Sequence, residues 1–302
     1  MIYIEPDFYG DFKCLADKCR HSCCLGWEID IDEDSFIKYN KIPGELGQEL
    51  RKNISCEGSP HFVLAEHERC PFLRADGLCR LICEKGEDIL CDICKEHPRF
   101  YNFYESRQER GLGLCCEKTV ELLAKSESPL KFRIYMDDGQ EREDEPELIF
   151  RDRVLSSISK RELPLYKRLE SVLNYCKADM REFNFNYWAE LFLSFEQMDE
   201  SWTELLNAAV KIPVKTDVSE FINKPLYERL ISYFIYRHFG NLCCDYEISE
   251  SLIFCILSGT FIAALDCKFG CNPEHIRLYS SEIEYSDENI SLIMDKIIKT
   301  QL

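Results

Sequence analysis

Cys14-Leu15-Ala16-Asp17-Lys18-Cys19-Arg20-His21-Ser22-Cys23-Cys24 opens a run of cysteines that organises the first third of the chain. The run continues as Cys70-Pro71-Phe72-Leu73, Cys79-x3-Cys83, Cys91-x2-Cys94 and Cys115-Cys116, with Cys56 alone between the groups. Twelve of the 18 cysteines thus fall between Cys14 and Cys116, which marks this region as a metal domain. Thiolates are soft ligands, and four of them suit zinc or an iron–sulfur cluster. Spacing leaves both metals open. Cys79-x3-Cys83 and Cys91-x2-Cys94 read as zinc knuckles, whereas cluster thiolates often come from scattered positions. Neighbouring side chains are expected to diverge, so within Cys23–Cys24 and Cys115–Cys116 one thiolate binds while the other packs or serves a second centre. Placement favours Cys115 over Cys116.

Local signals around the cysteines suggest how they are carried. Phe72 to Ile82 reads as a small hairpin turning at Asp76-Gly77, because a tight turn needs the positive φ that Asp-Gly supplies. Such a hairpin brings Cys70 and Cys79 to one end. Gly86 to Glu96 reads as a short helix with Cys91 and Cys94 on one face, ending near His97 because Pro98 disfavours helical geometry in its predecessor. Cys115-Cys116-Glu117 opens a helix through Leu123.

Further along, Asp137-Asp138-Gly139-Gln140-Glu141-Arg142-Glu143-Asp144-Glu145 is a dense acidic run. Like charges repel and favour a solvated linker, and Pro146 is placed to start a helix. The expected organisation is therefore a Cys-rich domain over 1–136, a linker over 137–146 and a helical domain over 147–302. In the last of these, Leu165–Met180, Tyr187–Met198, Pro225–Phe239 and Ser249–Cys267 carry apolar residues at three- and four-residue spacing. Leu226, Leu230, Tyr233 and Phe234 form one such stripe, which reads as core. The fold class expected is α+β, mostly α. The later cysteines read as small apolar core residues. Cys243-Cys244 and Cys267-x3-Cys271 have no second ligand pair close by.

Composition narrows the function. At 302 residues with 45% hydrophobic and 30% charged residues, the chain can bury a full core. A net charge of −18 disfavours nucleic acid and anionic membrane as partners and favours a cationic one. The same charge also serves simple solubility. The opening residues lack the basic and apolar regions of a secretory signal. The apolar stretch Leu252–Leu265, at fourteen residues, is too short to span a bilayer and reads as a buried helix. A cytoplasmic location without membrane insertion follows, and there thiols bind metal or stay reduced.

The residues between the cysteines carry a resemblance. Phe12 to Ile29, Cys70-Pro71-Phe72-Leu73, Gly77-Leu78-Cys79, Cys94-Lys95-Glu96-His97-Pro98-Arg99 and Leu114-Cys115-Cys116-Glu117 resemble, in order and spacing, the blocks of the flagellin lysine-N-methylases of the FliB type. Tyr233 to Phe239 extends the likeness weakly into the helical part. The cysteine blocks also resemble the broader CxxxCxxCC class of zinc- or iron-chelating domains. The resemblance implies a bacterial enzyme that methylates the ε-amine of flagellin lysines, with S-adenosylmethionine as donor and a 4Fe-4S iron–sulfur cluster. Carried over by position, its ligand pool is Cys14, Cys19, Cys23, Cys24, Cys70, Cys79, Cys94 and Cys115. Cys56, Cys83, Cys91 and Cys116 are left as bystanders, and Cys115-Cys116-Glu117 stands where the family commonly has Cys-Pro-Glu.

Lysine methylation needs a deprotonated amine, so the enzyme must desolvate the amine or place a carboxylate or phenol nearby. Glu117 and Glu28 are the candidates, and each also reads as an ordinary surface acid. Trp27 is a candidate for cation–π contact with a methylated amine, though large aromatics more often build the core. No strand–GxGxxG–helix unit marks a donor site, and Gly111-Leu112-Gly113 is too short to serve. The competing functional class is a binding module that zinc or a cluster merely staples. An electron carrier would not need the helical part.

Overall fold

The structure is a computed structural model that describes residues 1–140, 142–178, 183–213 and 217–300. Its first elements are β1 (Ile2–Pro6), α1 (Glu33–Lys41), α2 (Gly44–Lys52), β2 (Ile54–Ser55), β3 (His61–Phe62), α3 (Arg80–Lys85), α4 (Asp92–Glu96), β4 (Arg99–Phe103), β5 (Arg107–Leu112), α5 (Glu117–Ala124) and β6 (Phe132–Asp137). Helices then follow without further strands among the described residues: α6 (Pro146–Ser159), α7 (Leu165–Tyr175), α8 (Phe185–Leu193), α9 (Glu200–Ala209), α10 (Val218–Phe221), α11 (Pro225–Leu242), α12 (Ile248–Phe269), α13 (Pro273–Tyr279) and α14 (Asp287–Thr300). The class is α+β with helix dominant. The last residues of the helix expected over Leu165–Met180 lie outside the described residues.

Two compact units result. One is Lys13–Phe100 with Cys116–Lys118; the other is Met1–Phe12, Tyr101–Cys115 and Thr119–Leu302. The units do not divide at the acidic run, and the reason is strand pairing. β1 lies parallel to β5, with Ile2 opposite Arg107, and antiparallel to β6, in a sheet ordered β4-β5-β1-β6. Strands distant in sequence thus draw both ends of the cysteine region into the helical unit. The acidic run is not a free linker either. Asp138 pairs with the Met1 amino group, and Glu145 accepts hydrogen bonds from Glu105 N at 2.7 Å and Ser106 Oγ at 2.6 Å.

In the helical unit, α11 and α12 are the central pair. Gly259 of α12 lets Ile231 of α11 approach, since a Cβ there would lie 2.3 Å from Ile231 Cγ1. α11 is buried from Tyr227 through Gly240, and α12 from Ser251 through Asp266. At 22 residues α12 is longer than its apolar run predicted, because Ile248 and a capping box at Glu247 and Glu250 start it earlier. By length and composition α12 could cross a membrane, yet it packs here inside the protein.

The sheet is tied to these helices by buried polar groups. Tyr236 Oη donates to the carbonyls of Ile4 and Arg110, and Asn102 Nδ2 donates to those of Tyr236 and Arg237. Glu5, 2% exposed, accepts from Arg110 and Arg133. Arg151 of α6 forms a forked pair with Glu109 of β5 at 2.5 and 2.8 Å, both side chains being buried.

That pair gives a stability test. Arg151→Met leaves the buried Glu109 carboxylate with only Arg107, at 3.4 Å, beside it, at an expected cost of up to about 3–5 kcal/mol. The double variant Arg151→Met/Glu109→Leu should recover much of the loss. Urea denaturation followed by circular dichroism measures both, and equal destabilisation by the two variants would contradict the assignment.

Candidate metal centre

The cysteine unit has a core of Ile29, Ile31, Tyr39, Leu46, Leu50, Phe62, Phe72, Leu81 and Ile89, in which Cys70 and Cys91 are themselves buried. Cys24, Cys79, Cys94 and Trp27 pack against its edge. The thiols arrive by three local devices. In the first, Leu25 N donates to Ser22 O at 3.2 Å and closes a turn over Cys23–Cys24. The segment then pairs with Glu68–Cys70: Gly26 N donates to Glu68 O at 3.0 Å, and Cys70 N to Cys24 O at 2.9 Å. Gly26 has φ +84°, which L side chains rarely adopt. This pairing sets the Cys24 thiol in hydrogen-bond contact with both Cys23 and Cys70.

The second device is the expected turn at Asp76-Gly77. Arg74 N donates to Leu78 O at 2.9 Å, Gly77 has φ +81°, and Leu73 bridges Cys79. The turn is a loop with one bridge rather than a ladder, because Cys79 already caps α3. The third device is the Cys91–Cys94 pair. The helix expected over Gly86–Glu96 is shorter than its pattern: Leu90 and Cys91 are extended, and α4 starts only at Asp92. Asp32 explains the late start, since its Oδ2 accepts from Asp92 N at 2.9 Å while its Oδ1 caps α1. Cys91 thereby becomes the cap residue of α4, and its thiol meets that of Cys94.

Proton sharing follows from this packing. Hydrogen bonds from Cys23 and Cys70 hold the Cys24 thiol well below the usual thiol range. Those bonds, with burial, push the Cys23 and Cys70 thiols up. Likewise the bond from Cys94 lowers Cys91, while Cys94 rises. Burial raises Cys79. Burial also lowers His97, against the attraction of Cys24. The result is a set of sulfurs competing for protons in a partly buried site, a state that a soft cation relieves. Among the described residues no three cysteine sulfurs lie within 4.8 Å of one another. Cys24 lies within hydrogen-bond reach of Cys23 and of Cys70, so the donor set is one that zinc or an iron–sulfur cluster would take.

The other expected residues fall elsewhere. Cys14 is exposed, with its sulfur accepting from Ala16 N at 3.4 Å. The Cys19 thiol donates to His21 O at 3.3 Å, and burial raises it to about 11, with charge from Glu117, Cys116 and Cys14 adding. Cys116 thus shares the surroundings of Cys19, whereas Cys115 belongs to the helical unit and hydrogen-bonds Tyr285. Glu117 ties down the first cysteine loop, accepting from Arg20 N at 3.2 Å and pairing with the Arg20 guanidinium at 3.5 Å. Its Oε2 is buried without a hydrogen bond. Glu28 is exposed and lies 3.5 Å from His61 Nε2. Trp27 Nε1 donates to Cys23 O at 2.8 Å, so the ring clasps the turn. Gly111 lies in β5 and Gly113 is packed under Tyr285 Oη, leaving no phosphate-type cradle.

Adjacent thiols were expected to diverge; the turn over Cys23–Cys24 brings that pair together instead. Cys91, read from the sequence as a bystander, is carried to Cys94 by the capping of Asp92 by Asp32, which makes it a candidate for the centre. The two readings make different predictions for metal content. Serine at Cys24, Cys70, Cys79, Cys91 or Cys94 should each reduce bound metal to under half, and serine at the exposed Cys56 or Cys83 should not. Elemental analysis of the purified variants checks this, and full metal in Cys91→Ser would remove that residue from the centre.

Over 124 residues the chain is 31% identical to the flagellar biosynthetic protein FliU of Salmonella muenchen, a match covering 38% of this chain and 73% of that protein. It is also 31% identical, over 124 residues, to the proteins named lysine-N-methylase of Salmonella choleraesuis strain SC-B67 and Salmonella typhimurium strain LT2. There the match spans 31% of the relative's length, about a third. No family model and no solved structure matches the chain. The extent and identity of the match to FliU carry the conclusion that the chain belongs to the lysine-N-methylase and FliU (FliB) family.

Proposed function

We propose that the chain is a protein-lysine N-methyltransferase of the cytoplasm that moves a methyl group from S-adenosylmethionine to the ε-amine of flagellin lysines, with an iron–sulfur cluster in its thiol site. The observation that carries this reading is the gathering of Cys23, Cys24, Cys70, Cys79, Cys91 and Cys94 at the edge of one small core, in a chain of this family. Two relatives bear the name lysine-N-methylase, and the third is named for flagellar biosynthesis, which supports a flagellar protein as substrate.

Cys24, Cys70, Cys79 and Cys94 are the ligands we assign, with Cys23 and Cys91 as the proton-sharing partners beside them. A cluster bound there would supply one-electron chemistry. The glycines at 111 and 113 do not fit the methyl donor. The chain's own residues account for other parts of the task. The net charge of −18 favours encounter with a lysine-bearing surface. The amine must lose its proton before it attacks, and Glu117 is the better placed carboxylate for that role. It is largely shielded from solvent and lies beside the Cys19 loop, where Arg20 Nε at 3.5 Å and His21 Nε2 at 4.0 Å face its Oε2. Glu28, more than half exposed, lacks that shielding.

Co-expression with a flagellin, followed by intact mass measurement, tests the reading. Increments of one methylene on flagellin are expected, lost with Cys24→Ala or Cys94→Ala and cut in rate by about a hundredfold or more by Glu117→Gln, the usual range for general-base removal being about 10²–10⁴. Anaerobically purified protein should be brown. A colourless protein with one equivalent of zinc and unmodified flagellin would point instead to a stapled binding module.

A further inference from the structure

The polar face of a short ribbon in the cysteine unit holds a second group of ligand types, of different chemistry from the thiols. Residues 28–31 run beside β3: Ile31 N donates to Pro60 O at 2.7 Å, Phe62 N donates to Ile29 O at 3.1 Å, and Asp30 stands opposite His61. Side chains alternate across a strand, so residues two apart share a face. Ile29, Ile31 and Phe62 enter the core, each under 5% exposed. Glu28, Asp30 and His61 are left together on the other side. One ligand atom of each lies within 4.8 Å of the others, and Glu28 Oε2 is 3.5 Å from His61 Nε2.

Two further observations point to a cation. His61 Nδ1 lies 2.9 Å from the Ser59 carbonyl, which can only accept, so Nδ1 carries the proton and donates. Nε2, which faces Glu28 Oε2 at 3.5 Å, is then the nitrogen left to meet a cation seated between them, in the tautomer that metal-binding imidazoles use. Ser59 Oγ also donates to Asp30 Oδ1 at 3.1 Å, fixing that carboxylate from outside the trio. Second, among the described residues no lysine or arginine pairs with Glu28 or Asp30. Two carboxylates held this close repel one another unless a cation sits between them. Elsewhere in the chain, close-packed carboxylates have such partners, as Glu5 has in Arg110 and Arg133.

We propose that Glu28, Asp30 and His61 bind a divalent first-row transition-metal ion through one nitrogen and carboxylate oxygens, separately from the thiol centre. Oxygen and imidazole donors suit Mn2+, Fe2+ and Zn2+, whereas thiolates select softer metals. Three protein ligands on an exposed face leave coordination positions for water or an oxygen-bearing ligand.

Manganese is the discriminating probe, because thiolates hold it poorly. The full chain is titrated with Mn2+, and the free ion is counted by its six-line electron paramagnetic resonance spectrum. One bound equivalent is expected in the wild type. His61→Ala and Glu28→Gln should each weaken binding by about tenfold or more, at least the loss seen when an outer-shell partner is removed. Glu28→Gln is nearly isosteric at an exposed position, so its effect reports a lost ligand rather than unfolding. A wild-type titration in which all the manganese stays free overturns the proposal, and so do variants that bind as the wild type does.

Discussion

The hydrogen bond from Cys70 N to Cys24 O is where the cysteine unit is held together. Without that pairing the segment around Cys14–Cys24 and the segment around Cys70–Cys94 have no reason to meet, since more than forty residues separate them. With it, two thiols become neighbours, and the turns on either side deliver the rest. The backbone thus fixes the arrangement before any metal contributes. A bound cation would then strengthen a geometry already chosen by β-type pairing, which is how a small core with few aliphatic side chains gains cohesion.

The same unit shows what residue patterns reveal and what they conceal. Turn chemistry was legible: Asp76-Gly77 turns as its composition requires, and Pro98 ends α4 at His97. The long helices α11 and α12 were legible from their apolar spacing. What could not be read was pairing between distant segments. Nothing in Ile2-Tyr3-Ile4 announces a strand that inserts between β5 and β6, and nothing in the acidic run announces that Asp138 and Glu145 are held by Met1, Glu105 and Ser106. The contact of Cys91 with Cys94 was hidden for a related reason. Its place depends on Asp32, sixty residues earlier, capping Asp92.

The helical unit follows a different logic. Its core is large and aromatic, and yet it buries charged groups: Arg151 with Glu109, and Arg168 with Glu228 at 2.8 Å. His238 and Glu284 meet at 2.6 Å in the same interior. Such pairs add little net stability, but each is intolerant of losing one member. They act as position markers, because a helix shifted by one turn would strand a charge. That suits a unit whose strands come from three separate stretches of sequence.

The central place of β1 also bears on how the chain is made. β1 is synthesised first, but its parallel partner β5 follows about a hundred residues later, and non-local pairings of that kind form late. The whole cysteine segment therefore leaves the ribosome while β1 still lacks a neighbour. Its turns and short helices are built from nearer contacts and can assemble in that interval. The order of synthesis gives the thiols time to find one another before the sheet closes.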